Sequence, residues 1–133
     1  TYLFSYRAHP KGKRTWSQGY ACLAEHKGRR QELPVTIFSR TPGLDALAGG
    51  RVKVGGEEFQ RKFTVQCNSA AGAEAAVSMN VQRILLEHAS GPGWYLTVII
   101  AGKHVVVSSS WAASEGEWDY LIRLAQNLRA EVR

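Results

Sequence analysis

Four histidines (His9, His26, His88, His104), two cysteines (Cys22, Cys67) and the serine run 108–110 are the residues from which this sequence could assemble metal or nucleophilic chemistry. A zinc site needs several donors, usually brought together by a Cys-x-x-Cys step or a paired-histidine spacing. Neither occurs, and no two of the histidines share a helical or metal-ligand spacing. A nucleophile needs a base within hydrogen-bond reach. A hydrolase would therefore require His26 or His104 to approach Ser108, Ser110 or Cys22 in space, and no sequence feature requires that. Gly102-Lys103 is followed by His104 and lacks the upstream glycine of a phosphate-binding loop, and no G-x-S-x-G elbow is present. Asp45 and Asp119 are the only aspartates, while Glu57 and Glu58 are adjacent and would face opposite ways on a strand. The expectation is a non-enzymatic domain with no catalytic, cofactor-binding or metal-binding residues.

The cations are the more informative side chains. Of the seventeen lysines and arginines, ten lie before Val54, against three of the eleven acids, so the first part of the chain carries all of the net charge of +6. They concentrate in HPKGKR (9–14) and HKGRR (26–30), both glycine-containing and both following strand-like segments. Loops of this kind attract phosphate, nucleic acid or an anionic membrane surface. Lys11, Lys13, Arg14, Lys27, Arg29 and Arg30 are accordingly the candidate contact residues. A solvated hairpin tip is the plainer account of either run. Trp16, next to Lys13 and Arg14, could stack on a base, which makes nucleic-acid binding the alternative, although no RNA-binding motif is present.

The elements that must hold these loops can be read from periodicity. Tyr2, Phe4 and Tyr6 alternate with other residues, as do Tyr20, Cys22 and Ala24 after the first basic run, the pattern of an antiparallel pair with a long tip. LPVTIFSR (33–40) reads as a third strand with Pro34 at its start. TPGLDALAGG (41–50) could hold one helical turn closed by glycine, and RVKV follows as a short extended piece. Residues 71–89 recur at helical spacing, as two helices broken near Ser78, which can cap the second. WYLTVII and VVVSSSW flank a short glycine turn at 101–104, a hairpin. Ser114 with Glu117 opens a final amphipathic helix whose stripe is Trp118, Leu121, Ile122, Ala125 and Leu128, a face suited to packing on the sheet. Each cysteine sits in an apolar alternation, where a free thiol behaves as a small core residue.

Between these elements lies EEFQRKFTVQC (57–67). From Phe63 onward Phe63, Val65 and Cys67 share one face of a strand, Thr64 and Gln66 the other, and Phe59 belongs to the approach. With the helix after it, the stretch resembles a poorly characterised bacterial family of membrane proteins of unknown function. Its members read acidic residue, one residue or none, Phe, Asn-Arg, any residue, Phe, any residue, Val, then a short polar stretch and a helix ending in Leu-Leu. The matching residues are Glu58, Phe59, Arg61, Phe63, Val65 and Leu85-Leu86, with Gln60 where Asn is common. Val77-Ser78-Met79-Asn80 replaces the Pro-Arg-Met-Met run that often opens the family's helix. The likeness extends to the Leu33-Pro34 strand entry, the terminal hairpin and the final helix. It implies one or two N-terminal membrane helices followed by a cytoplasmic portion, of which this chain looks like the soluble part without its anchor. It supplies no catalytic residues to carry over. The recurring Phe, Arg and Leu positions suit packing and one buried or strand-crossing ion pair.

At 133 residues the chain suits a single domain, 1–133, and its 44% hydrophobic and 21% charged composition is that of a globular protein, without the apolar run a membrane span needs. Starting at Thr1 rather than Met, it is expected to be a piece of something longer. The fold class expected is α+β: an antiparallel sheet of six or seven strands, an inserted helical segment and a C-terminal amphipathic helix, with a pleckstrin-homology-like arrangement as an analogy. The function expected is an interaction domain of a membrane-tethered bacterial protein, engaging a protein or the anionic membrane surface at the cytoplasmic face.

Overall fold

The strictest alternation in the sequence builds the middle of the sheet. The computed structural model describes residues 2–8, 17–40, 50–88, 96–109 and 115–132. Among these the chain runs β1 (Tyr2–Ala8), β2 (Ser17–Glu25), β3 (Gln31–Ser39), β4 (Arg51–Val52), α1 (Glu57–Lys62), β5 (Phe63–Gln66), α2 (Ala70–Ala76), α3 (Met79–His88), β6 (Leu96–Gly102), β7 (His104–Ser109) and α4 (Glu115–Glu131). The strands form one open antiparallel sheet in the order β1-β2-β7-β6-β3-β5-β4. The last hairpin thus lies between the second and third strands.

Register shows how the core is made. Cys22, Val107, Val98, Ile37 and Val65 are successive cross-strand partners and all are buried; Ala24, Val105, Ile100 and Val35 form a second such row. Onto this face pack α4, over β2 and β7, and α2, over β3, while α3 leans on α4 and α1. Leu121, Leu124, Ala125 and Leu128 of α4 are buried in the same cluster, together with Val81, Ile84 and Leu85 of α3. Each such Val, Ile or Leu contributes about 1.5–3 kcal/mol by leaving water. Both cysteines are free and buried there.

The α+β class, the closing helix and the inserted helical segment are as expected. So is the break near Ser78: its hydroxyl accepts from the Val81 N–H at 3.3 Å, capping α3, as Ser69 caps α2 by accepting from Gly72 at 3.1 Å. Ser78→Ala should lower the unfolding free energy by about 1 kcal/mol, seen as an earlier denaturant midpoint at unchanged slope. The β6–β7 turn is also as read, since Ala101 pairs with His104 and Gly102 has φ +57°, the left-handed backbone that a two-residue hairpin loop demands.

Four details differ. Residues 57–62, read as an approach to a strand, are helical: acids in the first turn and bases in the last suit the helix dipole, and Phe59 and Phe63 fall four apart. Thr64, on the face opposite Phe63 and Val65 of a strand read as half-buried, is itself buried, at 7% exposed. The third strand starts at Gln31 rather than Leu33, and Pro34 lies in the register shift between Gln31 and Val35, where its missing N–H interrupts no regular ladder. The pleckstrin-homology analogy reaches no further than the closing helix, because the sheet is open and α1 to α3 interrupt the run of strands. The expected helical turn at 41–49 lies outside the described residues. No helix among the described residues is long and apolar enough to cross a membrane.

Candidate anion-binding surface

The connection from β2 to β3 carries Lys27, Arg29 and Arg30, and all three are exposed. Its course is set by a buried histidine. His26 donates its backbone N–H to the Lys103 carbonyl at 2.8 Å, and its Nε2 lies 3.1 Å from the Gly102 carbonyl oxygen. Lys103 Nζ in turn donates to the Gly28 carbonyl, and Arg129 Nη1 of α4 reaches the Glu25 carbonyl at 3.5 Å. The basic loop is therefore fastened to the β6–β7 turn and to the last helix before it turns outward. Between it and α2 runs a cleft of about 320 Å³, rimmed by Arg29 and Arg30 and walled by Leu33, Ala71 and Ala75.

His26 is 1% exposed and its Nδ1 has no hydrogen-bond partner among the described residues. Burial holds its imidazole below the ordinary value of 6.5; the Gly102 hydrogen bond opposes this, Lys103 and His104 reinforce it, and Glu25 opposes it weakly. The folded chain thus binds this proton less readily than the unfolded one. Stability tied to neutral His26 is complete above about pH 6.5 and is lost as pH falls from there through the folded value. The drop in denaturant midpoint between about pH 7.5 and pH 5.5 should be smaller in His26→Gln than in the unsubstituted protein.

Lys11, Lys13 and Arg14, with Trp16, lie outside the described residues. The strands that flank them are described: the 9–16 segment leaves the sheet at Ala8 and returns at Ser17, whereas the 27–30 loop begins beyond Glu25, at the other end of β2. Nine residues of strand set these ends roughly 26 Å apart.

Among the described residues, the groups that a hydrolase would need are kept apart. His104 pairs with Glu25, Ser108 with Ala21, and Cys22 with Val107, so along the strands the two histidines are roughly 10 Å or more from Cys22 and Ser108. Burial pushes the Cys22 thiol up, away from the thiolate a nucleophile requires. Ser110 lies outside the described residues. Among the described residues no three His, Cys, Asp or Glu side chains gather as metal ligands.

The family-like residues take packing positions. Phe59 and Phe63 stack with centroids 5.1 Å apart, and Phe59, Phe63, Val65 and Leu85 are buried. Arg61 is exposed, and the charged pair of this stretch is Lys62 with Glu58 at 3.7 Å, a solvent-facing helical pair rather than a buried or strand-crossing one.

One group of cations was missed in the sequence. Arg40, Arg51 and Lys53 line a single cleft of about 280 Å³ together with Gln60 and Thr64. They come from separate segments with no run of charge, and only the pairing of β3, β4 and β5 brings them together. Compared with family models, curated proteins and solved structures, the chain matches none significantly.

Proposed function

We propose that this chain is a non-enzymatic interaction domain of a membrane-tethered bacterial protein, and that it holds the anionic membrane surface at the cytoplasmic face with the 27–30 loop. The observation that supports this most is the exposure of Lys27, Arg29 and Arg30 on a connection fastened at His26 and Gly28. A loop already held in place loses little conformational freedom on docking, so its electrostatic gain is retained. The tethering rests on the family resemblance alone. Lys11, Lys13 and Arg14 belong to the same reading as a second patch; with the two patches leaving opposite ends of β2, one plane meets both only if that strand lies along it.

Each Lys or Arg near an anionic surface contributes about 1 kcal/mol, so the three together are worth roughly 100-fold in affinity. Flotation with phosphatidylserine-containing vesicles should retain the protein at low salt, and Lys27→Gln/Arg29→Gln/Arg30→Gln should weaken retention by about that factor. Equal retention on neutral vesicles, or none of this loss in the triple variant, overturns the reading. Binding to a short oligonucleotide that falls steeply with salt, without binding to anionic vesicles, would put nucleic acid in its place.

A further inference from the structure

At the end of the sheet opposite the 27–30 loop, the strand register gathers a second set of donors. Arg51 pairs with Gln66 and Val52 with Val65, which carries Lys53 alongside Thr64. Ser39 pairs with Phe63, and the next residue, Arg40, donates its backbone N–H to the Lys62 carbonyl at 2.8 Å. The Arg40 guanidinium is held from α1, donating through Nη1 to the Gln60 carbonyl at 3.0 Å. These three cations line the cleft of about 280 Å³, and none of its described lining residues is an acid.

Charge alone would make this another basic surface. Thr64 makes it more specific. Thr64 is among the residues that line the cleft, it is 7% exposed, and its buried hydroxyl has no hydrogen-bond partner among the described residues. A buried hydroxyl without a partner costs stability that valine, of nearly the same shape, would not. A polar group left in that condition marks a place where an absent ligand atom completes the bonding. Here that atom is an acceptor, since the surrounding side chains are cations. Arginine's forked N–H groups match phosphate oxygens, lysine adds a point charge, and a hydroxyl donates to an oxygen of the same group.

We infer that this cleft binds the phosphate monoester group of a phosphorylated ligand, with Thr64 donating its hydroxyl to a phosphate oxygen and Arg51 and Lys53 supplying the charge. The site is distinct from the proposed membrane contact and stands or falls without it.

The test is an amide-resonance titration of the whole chain at about pH 7.5, where a phosphate monoester is close to dianionic. Glycerol phosphate is added against sodium chloride of matched ionic strength. Saturable shifts are expected at Arg51, Lys53 and Thr64 and not across residues 27–30. Thr64→Val should bind about tenfold more weakly, the loss expected for a hydrogen bond to a charged group, while unfolding at the same or a higher denaturant midpoint. Arg51→Gln/Lys53→Gln, at exposed positions, provides a second loss of affinity that does not depend on the core. A parallel titration with phosphatidic acid vesicles separates a lipid phosphate from a soluble one: saturable shifts at the same amides from either source support the site and identify the source. Shifts that do not saturate with either, that chloride reproduces, or that persist at equal affinity in Thr64→Val overturn it. So does a Thr64→Val protein markedly less stable than the parent, because the hydroxyl would then have a protein partner.

Discussion

Phe59→Ala is expected to lower the unfolding free energy by about 3–5 kcal/mol, the usual cost of emptying a phenylalanine site in a core. The ring is 1% exposed, stacks on Phe63 at an interplanar angle of 23°, and lies under the β4–α1 connection at Gly55. Removing it leaves a hole between α1, β5 and α3 that a helix of six residues is too short to close by shifting. Against a total of about 5–15 kcal/mol for a domain, such a loss is a large share. Guanidinium unfolding of Phe59→Ala and Phe59→Leu measures it: leucine should recover more than half. A loss below about 1 kcal/mol for alanine would mean that the ring is not packed as described.

The second large effect is expected at Gly55, from a different cause. Its φ is +89°, and a Cβ there would stand 2.7 Å from Gln82 Oε1 and 2.8 Å from the Phe59 ring. Gln82 is itself committed, accepting from the Gly56 N–H at 3.1 Å and donating to the Val77 carbonyl at 3.1 Å. Gly55→Ala therefore forces a disfavoured backbone and dislodges a side chain that ties the start of α1 to α3, at a combined cost of about 2–4 kcal/mol. Gly56 is the control. Its φ is −69° and a Cβ there meets nothing within 4 Å, so Gly56→Ala should change stability by less than about 1 kcal/mol. Equal effects at the two positions would sink the explanation.

Legibility followed the length of the pattern. The β6–β7 hairpin and α4 repeat their period often enough to be read directly, and Ser78 was legible because a cap has a residue type as well as a place. Helix α1 was not, since EEFQRK spans under two turns and its two aromatics fit a strand entry equally well. The burial of Thr64 was not legible, because alternation shows which residues share a face but not what covers the other one. For the cations, the sequence showed runs and missed convergence. Residues 27–30 were visible as a run, whereas Arg40, Arg51 and Lys53 become neighbours only through the order β3-β5-β4. That the two runs leave opposite ends of β2 is a property of pairing, and composition cannot show it.

The place of the last hairpin governs how a ribosome can deliver this fold. Among the described strands β6 and β7 come last along the chain, yet in the sheet it is they that join β2 to β3. Until they emerge, a nascent chain holds two separate pieces, β1 with β2 and β3 with β5 and β4, each presenting an unpaired edge. Closing the sheet then means inserting a finished hairpin between them, across loops that span most of the chain, and such non-local closure is slow. During that interval the open edges of β2 and β3 are templates for any neighbouring strand, so this fold is most vulnerable in the time before its last hairpin emerges.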